Sequence, residues 1–240
     1  MKKLCLLLLL FLSHFLLMPL ETTHAKGKQE PVPDTVADSH SKYTVYFQTN
    51  SGRYCTAILI SSTAALTARH CVGREPAERV GTIYPGQNGD KRPFGYMNIR
   101  TYTPHPNPKY DIAILKGTER DQDEFYKYYI RKFSTTVKGY TDEEFRAFMG
   151  QDAYAYGYPH GKQFRNNVQY RSDGKITSYK TKPIPYLLTD MPAFSGQSGS
   201  GVFKKDGKFL GIMVTRTKKN TANILPFTES IAKWINENAK

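Results

Sequence analysis

Short runs of β-branched and aromatic residues, separated by turn-forming residues, fill most of the chain from Lys42 onward. Such runs predict short strands. In the first half they cover 43–48, 54–60, 63–67 and 110–116, and in the second half 152–156, 167–171, 175–179 and 186–190. Asn50-Ser51-Gly52 indicates a turn, and Asp173-Gly174 and Asp206-Gly207 are typical of hairpin loops. Many short strands with frequent turns predict an all-β barrel or sandwich.

Two segments depart from the strand pattern. Residues 118–150 are charged and rich in tyrosine, so we expect a connection between two halves of the fold at about 121–150. Within them, Thr141 and Glu144 form a capping-box pattern that predicts a short helix ending at Gly150. A final helix is predicted to begin after Thr228. Its apolar face holds Ile231, Trp234 and Ile235.

The N-terminal segment is typical of a secretory signal. A short basic head precedes an apolar run at 4–20, and Thr23-His24-Ala25 offers small residues for cleavage after residue 25. A membrane anchor is the alternative, but it needs about 20 apolar residues, and this run is shorter and contains His14. We therefore expect an exported protein, with residues 26–41 forming an extended arm or a propeptide.

The charge of the chain is strongly positive. It contains 34 Lys and Arg residues against 21 Asp and Glu residues, for a formal net charge of +13. This charge favours solubility and a loose attraction to anionic cell-surface polymers. The basic residues are scattered and form no short dense run, so nucleic acid is not expected as a partner. We also expect no integral membrane segment beyond the signal, and a monomer.

Cysteine usage points to one disulfide. Of the three cysteines, Cys5 lies in the predicted signal. Cys55 and Cys71 remain as an even pair in a chain expected to be exported, which predicts a bridge between them. A zinc site is the alternative, but it needs further ligands at short cysteine or histidine spacings, and the sequence has none. We therefore expect a disulfide and no metal ion.

Two local patterns in the first half carry candidate catalytic residues. His70 follows a predicted strand and precedes Cys71, so a bridge to Cys55 would fasten its loop to the neighbouring strand. Asp111 lies at the head of an apolar strand, where a buried carboxylate needs a partner. Each has a purely structural alternative: His70 as a surface residue beside a disulfide, and Asp111 as a strand-end residue bound by backbone amides.

The third pattern is a glycine-rich stretch, Phe194-Ser-Gly-Gln-Ser-Gly-Ser-Gly201. Gly196 and Gly199 flank Ser198, so the backbone can turn sharply and present both a hydroxyl and bare N–H groups. The amides of Gly196 and Ser198 could then converge as an oxyanion hole. A flexible linker is the alternative, but an apolar strand follows at Val202 and argues against it.

Together these patterns predict a nucleophilic serine with a base and an orienting acid. A neutral histidine can take a proton from a serine, and a buried aspartate can hold that histidine in the required tautomer. The chain order His70, Asp111, Ser198 is that of chymotrypsin-like enzymes and differs from the subtilisin and α/β-hydrolase orders. The spacing suits a histidine and an aspartate in a first barrel and a serine in a second.

These blocks resemble the active-site segments of chymotrypsin-like serine peptidases. They are Thr67-Ala-Arg-His-Cys71, Asp111-Ile-Ala-Ile-Leu115 and Gly196-Gln-Ser-Gly-Ser200. A finer similarity, carried by 155–159, 174–177 and 210–212, is to the bacterial V8-like glutamyl endopeptidases. The nucleophile loop also resembles that of staphylococcal exfoliative toxins. The resemblance covers about residues 42–238, and 118–150 match least.

This resemblance implies two six-stranded antiparallel β-barrels with a C-terminal α-helix and a cleft between the barrels. It implies a secreted serine endopeptidase for protein or peptide substrates that needs no cofactor, with Ser198, His70 and Asp111 as the triad. The peptidase domain would span 42–240, with a first barrel at about 42–120, a connection at about 121–150 and a second barrel with the helix at about 151–240. The alternative is a protease-fold toxin or binding protein with little or no turnover.

Gln197 departs from the pattern of chymotrypsin and trypsin, which carry an aspartate at this place to pair with the new N terminus. A neutral amide cannot form that ion pair, so activation by that route is not expected. The V8-like branch also lacks this aspartate, so activity itself is still expected. The disulfide beside His70 is more similar to animal trypsins than to the V8-like branch.

By the same resemblance, five residues are expected to form the specificity pocket: Pro192, Ala193, Met213, Thr215 and Arg216. Pro192 stands where trypsin-like enzymes carry an aspartate, so a preference for Arg or Lys is not expected. Ala193 and Met213 stand where glutamyl enzymes carry a hydroxyl residue and a histidine, and neither can donate a hydrogen bond to a carboxylate. We therefore predict an apolar pocket. The alternative is that Arg216 captures an acidic side chain.

Overall fold

The strands form two closed antiparallel barrels in a computed structural model that describes residues 27–240. The signal predicted at 1–25 lies outside the described residues. Both barrels follow the expectation for an all-β chain, because each strand buries one face against its own barrel interior. The two six-stranded antiparallel barrels predicted from the resemblance are confirmed.

The first barrel contains six strands in the order β2-β3-β4-β7-β6-β5. Their bounds are β2 (Thr44–Thr49), β3 (Tyr54–Leu59), β4 (Ala64–Thr67), β5 (Ala77–Pro85), β6 (Met97–Pro104) and β7 (Ala113–Lys116). Branched and aromatic side chains such as Val45, Phe47 and Ile83 are fully buried in its interior. Such side chains favour the pleated, half-buried surface of a strand.

The second barrel closes through the pairing of its first two strands, in the order β9-β10-β13-β12-β11-β8. Their bounds are β8 (Asp152–Gly157), β9 (Tyr170–Lys180), β10 (Tyr186–Pro192), β11 (Gly201–Lys204), β12 (Phe209–Arg216) and β13 (Thr221–Pro226). The hairpin predicted at Asp206-Gly207 is confirmed between β11 and β12. Gly207 has a φ of 85°, and its amide donates to Lys204 O over 2.8 Å.

The hairpin predicted at Asp173-Gly174 is wrong, because both residues lie inside the single long strand β9. Asp173 pairs with Tyr154 of β8 on one side and with Lys28 on the other, which leaves no room for a chain reversal. Gly174 allows a close approach of two strands rather than a turn. A Cβ at this position would lie 2.4 Å from Asp190 Oδ1.

Much of the predicted N-terminal arm is part of the folded structure. Its first strand, β1 (Lys28–Pro31), pairs antiparallel with β9 and so adds a seventh strand to the sheet of the second barrel. Immediately after it, the Val32 amide donates to Gln169 O over 2.8 Å. The short helix α1 (Ser39–Tyr43) then leads into the first barrel. The arm therefore lies against the second barrel before the first barrel begins.

The connection between the barrels contains two short helices, α2 (Glu124–Ile130) and α3 (Asp142–Ala147). The capping box predicted for α3 is confirmed, since Thr141 Oγ1 accepts from Glu144 N and Glu144 Oε2 accepts from Thr141 N. The helix ends shortly before Gly150. None of the helices in the described residues is long and apolar enough to cross a bilayer.

The predicted C-terminal helix is confirmed as α4 (Glu229–Asn238), which packs on the first barrel. Its residues Ile231 and Ile235 are fully buried in the same apolar cluster as the strands of that barrel. The Trp234 ring lies 4.6 Å from the ring of His105, in the loop between β6 and β7. The chain thus returns from the second barrel to the first and joins the two.

Candidate active site

His70 lies in a short 3₁₀ turn, Arg69–Cys71, that follows the end of β4. The predicted disulfide is confirmed: Cys71 is bonded to Cys55 on β3, and the two residues are 16 positions apart. The Tyr102 hydroxyl, on β6, lies 2.9 Å from Arg69 O and so supports the turn. The His70 turn is thus held by a covalent bond on one side and a buried tyrosine on the other.

Asp111 holds His70 at two points. Its Oδ1 accepts from the His70 backbone amide over 2.9 Å, and its Oδ2 lies 2.6 Å from His70 Nδ1. An ionised carboxylate can only accept hydrogen bonds, so Nδ1 carries the ring proton. His70 Nε2 is therefore left as the acceptor, which is the tautomer that a general base requires.

Ser198 faces that free nitrogen from the second barrel. It lies in the loop between β10 and β11, and its Oγ is 2.9 Å from His70 Nε2. Gly199 has a φ of 91°, and a Cβ there would lie 2.1 Å from Thr56 O on β3. The Ser198 carbonyl in turn accepts from the Thr56 amide over 3.0 Å. The structure thus brings the three predicted residues together across the junction of the barrels.

The two predicted oxyanion donors have no hydrogen-bond acceptor among the described residues. Neither the Gly196 nor the Ser198 amide donates a hydrogen bond to another described residue. The Ser195 carbonyl accepts from the His160 amide over 2.6 Å. In a trans peptide the N–H points away from the preceding C=O, so the Gly196 N–H points away from His160. This role of the His160 backbone has no signal in the sequence.

The side chain of Tyr54 contacts the same loop. Its hydroxyl lies 3.0 Å from His160 Nδ1, and its ring would be 2.9 Å from a Cβ placed on Gly196. Burial, with a smaller contribution from Tyr46, raises the pKa of Tyr54 to about 12. The hydroxyl therefore stays protonated at neutral pH and can donate to the imidazole.

A sequence comparison identifies the family to which these features belong. Residues 55–212 match the family model of the trypsin-like peptidase domain, which is more than half of the chain. The chain belongs to the trypsin-like peptidase family. The barrels described above are shared with solved serine proteases, so the chain has the chymotrypsin-like fold.

Three solved structures illustrate the fold that this peptidase shares. A Glu endopeptidase solved with MPD superimposes with a TM-score of 0.70 at 20% identity, over 88% of this chain and 96% of that one. The protease Anisep from Arthrobacter nicotinovorans gives 0.65 at 16% identity, over 88% and 99%. The thermostable serine protease AL20 from an extremophilic microorganism gives 0.63 at 16% identity, over 83% and 98%. At these identities the likeness concerns the fold.

A curated relative of the peptidase is described as an extracellular metalloprotease of Bacillus subtilis (strain 168). It is 26% identical over 169 residues, which cover 66% of this chain and 49% of that protein. This chain therefore spans about half the length of that relative. Within residues 27–240, one group of metal-ligand side chains lies close together, Cys55, His70 and Cys71. Its two sulfurs are bonded to each other, so neither is the thiolate that a metal site would need.

A cleft of about 410 Å³ opens beside Ser198 in this peptidase. Four of the five predicted pocket residues line it: Ala193, Met213, Thr215 and Arg216. The structure places the fifth, Pro192, at the end of β10, where it pairs with Thr221 of β13 and is not among the lining residues. The Arg216 guanidinium donates to the side chain of Asn220, on the turn after β12.

Gln197, which the sequence showed as a departure from the chymotrypsin pattern, is fully buried. Its Oε1 accepts from the Phe194 amide over 2.9 Å and from Gln29 Nε2 over 3.1 Å. Its Nε2 lies 3.3 Å from Ser172 Oγ. The motifs give no indication of the partners Gln29 and Ser172, because both are distant in sequence from the nucleophile loop.

Proposed function

We propose that this peptidase cleaves peptide bonds with Ser198 as nucleophile, His70 as general base and Asp111 as the orienting acid, through an acyl-enzyme. One observation carries the proposal. His70 lies between the other two side chains, with Nε2 2.9 Å from Ser198 Oγ and Nδ1 2.6 Å from Asp111 Oδ2. Both distances allow proton transfer or a strong charge-assisted hydrogen bond.

The proposed reaction proceeds in two halves. Ser198 Oγ attacks the scissile carbonyl carbon while His70 Nε2 takes the hydroxyl proton. The imidazolium, stabilised by Asp111, then gives that proton to the leaving amine as the C–N bond breaks. A water molecule enters in place of the amine, loses a proton to His70 and attacks the acyl carbon. Ser198 is released with its proton restored.

The amides of Gly196 and Ser198 are the proposed donors to the oxyanion of each tetrahedral intermediate. Support comes from their lack of hydrogen bonds to other described residues and from the Ser195 carbonyl, which is turned toward His160. Donors that are oriented before the reaction need no reorganisation as charge develops on the carbonyl oxygen. Loss of one such donor typically reduces turnover by about 10²–10³-fold.

We further propose that the residue before the scissile bond, P1, is preferentially apolar. Ala193 and Met213 line the cleft and are only 1% and 2% exposed, so they present a methyl group and a thioether. A P1 carboxylate or ammonium placed against them would be buried without a hydrogen-bonding partner, which is costly. The exposed Arg216 is the one cationic side chain that lines the cleft in the described residues, and Asn220 already occupies part of its guanidinium.

Export from the cell is part of the proposal. The bond between Cys55 and Cys71 supports it, because disulfides form and persist in oxidising compartments. The Bacillus subtilis relative is described as an extracellular metalloprotease, which is in accord with this location. The predicted signal at 1–25 would provide the route.

A serine-directed fluorophosphonate tests the proposed triad. The wild-type protein should take up one label, which peptide mapping should locate on Ser198, and should lose peptide cleavage in parallel. Ser198→Ala should take up no label and should lose about 10⁴–10⁶-fold in turnover, with an unchanged circular dichroism spectrum. Ser195→Ala, a matched change in the same loop, should still be labelled at Ser198.

Two results would contradict the proposal. Cleavage by Ser198→Ala at the wild-type rate would remove Ser198 from the reaction. Labelling of Ser198 without cleavage of any member of a broad peptide library would favour the alternative of a protease-fold toxin or binding protein.

A further inference from the structure

We propose that Gln29, on the N-terminal strand β1, is a positioning residue that holds the nucleophile loop in its working conformation through Gln197. The inference rests on the proposed triad and extends it to a part of the chain that lies before the barrels. It assigns β1 to the working enzyme rather than to a propeptide that is removed.

β1 has a defined place beside the second barrel. It pairs with β9 in a register that sets Gln29 opposite Ser172. The strand is fastened at both ends, since the Gly27 amide donates to Asp190 O and the Val32 amide donates to Gln169 O. The Gln29 side chain is therefore delivered to a defined place beside the second barrel, next to the loop that carries Ser198.

The side-chain amide of Gln29 donates two hydrogen bonds. Its Nε2 lies 2.7 Å from Ser172 Oγ and 3.1 Å from Gln197 Oε1. An amide NH₂ has two hydrogens, so both contacts can be made at once. Ser172 is fully buried, and it also receives Gln197 Nε2 at 3.3 Å. The three side chains form a closed polar group beneath the nucleophile loop.

Gln197 binds the nucleophile loop through both its side chain and its backbone amide. The Gln197 side chain accepts from the Phe194 amide over 2.9 Å, and the Gln197 amide donates to Phe194 O over 3.2 Å. Both backbone groups of Phe194 are thus bound by one residue, which closes the turn that contains Gly196. The two proposed oxyanion donors, Gly196 N and Ser198 N, belong to the residues that immediately precede and follow Gln197.

Gln29 matters because Gln197 Oε1 is buried and has two lone pairs to satisfy. Phe194 uses one and Gln29 uses the other. A buried amide oxygen that loses a partner tends to rotate toward another donor, because an unsatisfied polar atom is costly in the interior. Rotation of the Gln197 side chain would break its hydrogen bond with the Phe194 amide. The oxyanion donors would then lose their orientation. Two neutral amides thereby hold a loop that an ion pair to an aspartate holds in chymotrypsin and trypsin.

Replacement of Gln29 by leucine, which keeps the size of the side chain and removes its donor, tests this role. Gln29→Leu is expected to lower kcat at least fivefold with less than a twofold change in KM, since the oxyanion donors act in the transition state. A peptide aldehyde, which forms a tetrahedral adduct, should bind more weakly by the same factor as the fall in kcat. All rates are measured well below the thermal midpoint of each variant.

Glu30→Ala is the matched control on the same strand. The Glu30 side chain is exposed, and within the described residues it forms an ion pair only with Lys28, so this variant should keep the wild-type kcat. If Gln29→Leu does not fold, Gln29→Asn, which retains an amide that is one methylene too short, should show the same loss of kcat.

The result that would overturn the inference is a kcat within twofold of wild type in Gln29→Leu or, where that variant does not fold, in Gln29→Asn. An equal fall in kcat for Glu30→Ala would also overturn it, because the effect would then belong to the strand in general. The fluorophosphonate experiment separates the two proposals. A wild-type enzyme that is labelled at Ser198 and cleaves peptides upholds the triad, whatever the outcome at Gln29.

Discussion

At the scale of the residue, Arg216 is an exposed residue of the cleft with its guanidinium against the side chain of Asn220. The cleft is also lined by Ala193 and Met213, which are nearly inaccessible to solvent. The cleft thus combines an apolar wall with one exposed cation. Which of the two sets the preference at P1 depends on whether the cation can reach an acidic side chain without leaving Asn220.

We expect the apolar wall to set the preference. In a set of peptides that differ only at P1, Leu or Phe should give a kcat/KM at least tenfold above Glu or Lys, because a buried unpaired charge costs more than the about 1.4 kcal/mol that a tenfold difference requires. Arg216→Ala should preserve this order, and Lys218→Ala controls for loss of a neighbouring surface charge. Fastest cleavage after Glu, lost in Arg216→Ala and kept in Lys218→Ala, would overturn the apolar preference.

At the scale of the element, the Cys55–Cys71 bond ties β3 to the 3₁₀ turn that carries His70. A bridge that closes a loop of this length contributes about 3 kcal/mol in the chain-entropy account. The turn has other supports, since Asp111 Oδ1 accepts from the His70 amide and Tyr102 contacts Arg69 O. The disulfide is therefore expected to affect stability more than the position of His70.

Replacement of both cysteines by alanine should lower the free energy of unfolding by about 2–4 kcal/mol. Urea unfolding measures this, with Ser198→Ala present in both proteins to prevent self-digestion. In the active background, turnover should fall by less than tenfold because the hydrogen bonds to the turn remain. Two titratable thiols at Cys55 and Cys71 in the native wild-type protein, or an unchanged unfolding free energy in the variant, would contradict the expectation.

At the scale of the whole molecule, α1 joins the two barrels. It leads directly into β2 of the first barrel, whereas its residue His40 stacks on Phe203 of β11 at a ring separation of 3.9 Å. His40 Nδ1 lies 2.7 Å from the Tyr154 hydroxyl on β8. Burial lowers the pKa of His40, Asp38 partly opposes this shift, and Arg171 adds to it.

This junction should weaken in mild acid. The folded protein favours neutral His40, while the unfolded chain takes up a proton near the ordinary value of about 6.5. The stability that His40 contributes is therefore complete above that pH and is lost as the pH falls through the lower pKa of the folded state. The difference in unfolding free energy between wild type and His40→Gln should narrow from pH 7.5 to pH 5, both in the Ser198→Ala background. A difference that is independent of pH would contradict the assignment.

Some strands of the two barrels could be predicted because their signal is contained in contiguous residues. The runs at 43–48 and 54–60 correspond to β2 and β3, and the Asp206-Gly207 turn lies where expected. The patterns did not predict β5, β6 and β13, whose residues become strands through pairing with neighbours on both sides. The wrong hairpin at Asp173-Gly174 has the same origin. A local turn signal was outweighed by pairing to two other strands, which no local pattern reveals.

The sequence by itself determined the chemistry that this protein can offer: a histidine, an aspartate and a serine in that order, and a pair of cysteines. Each is recognisable within a few contiguous residues or from a simple count. Only the tertiary structure decided how the loop around Ser198 is held. Gln29 and Gln197 are 168 positions apart, and the His160 amide reaches Ser195 from another loop. Such contacts depend on strand register and chain crossing, because hydrogen bonds form only when folding has brought the two groups to within about 3 Å.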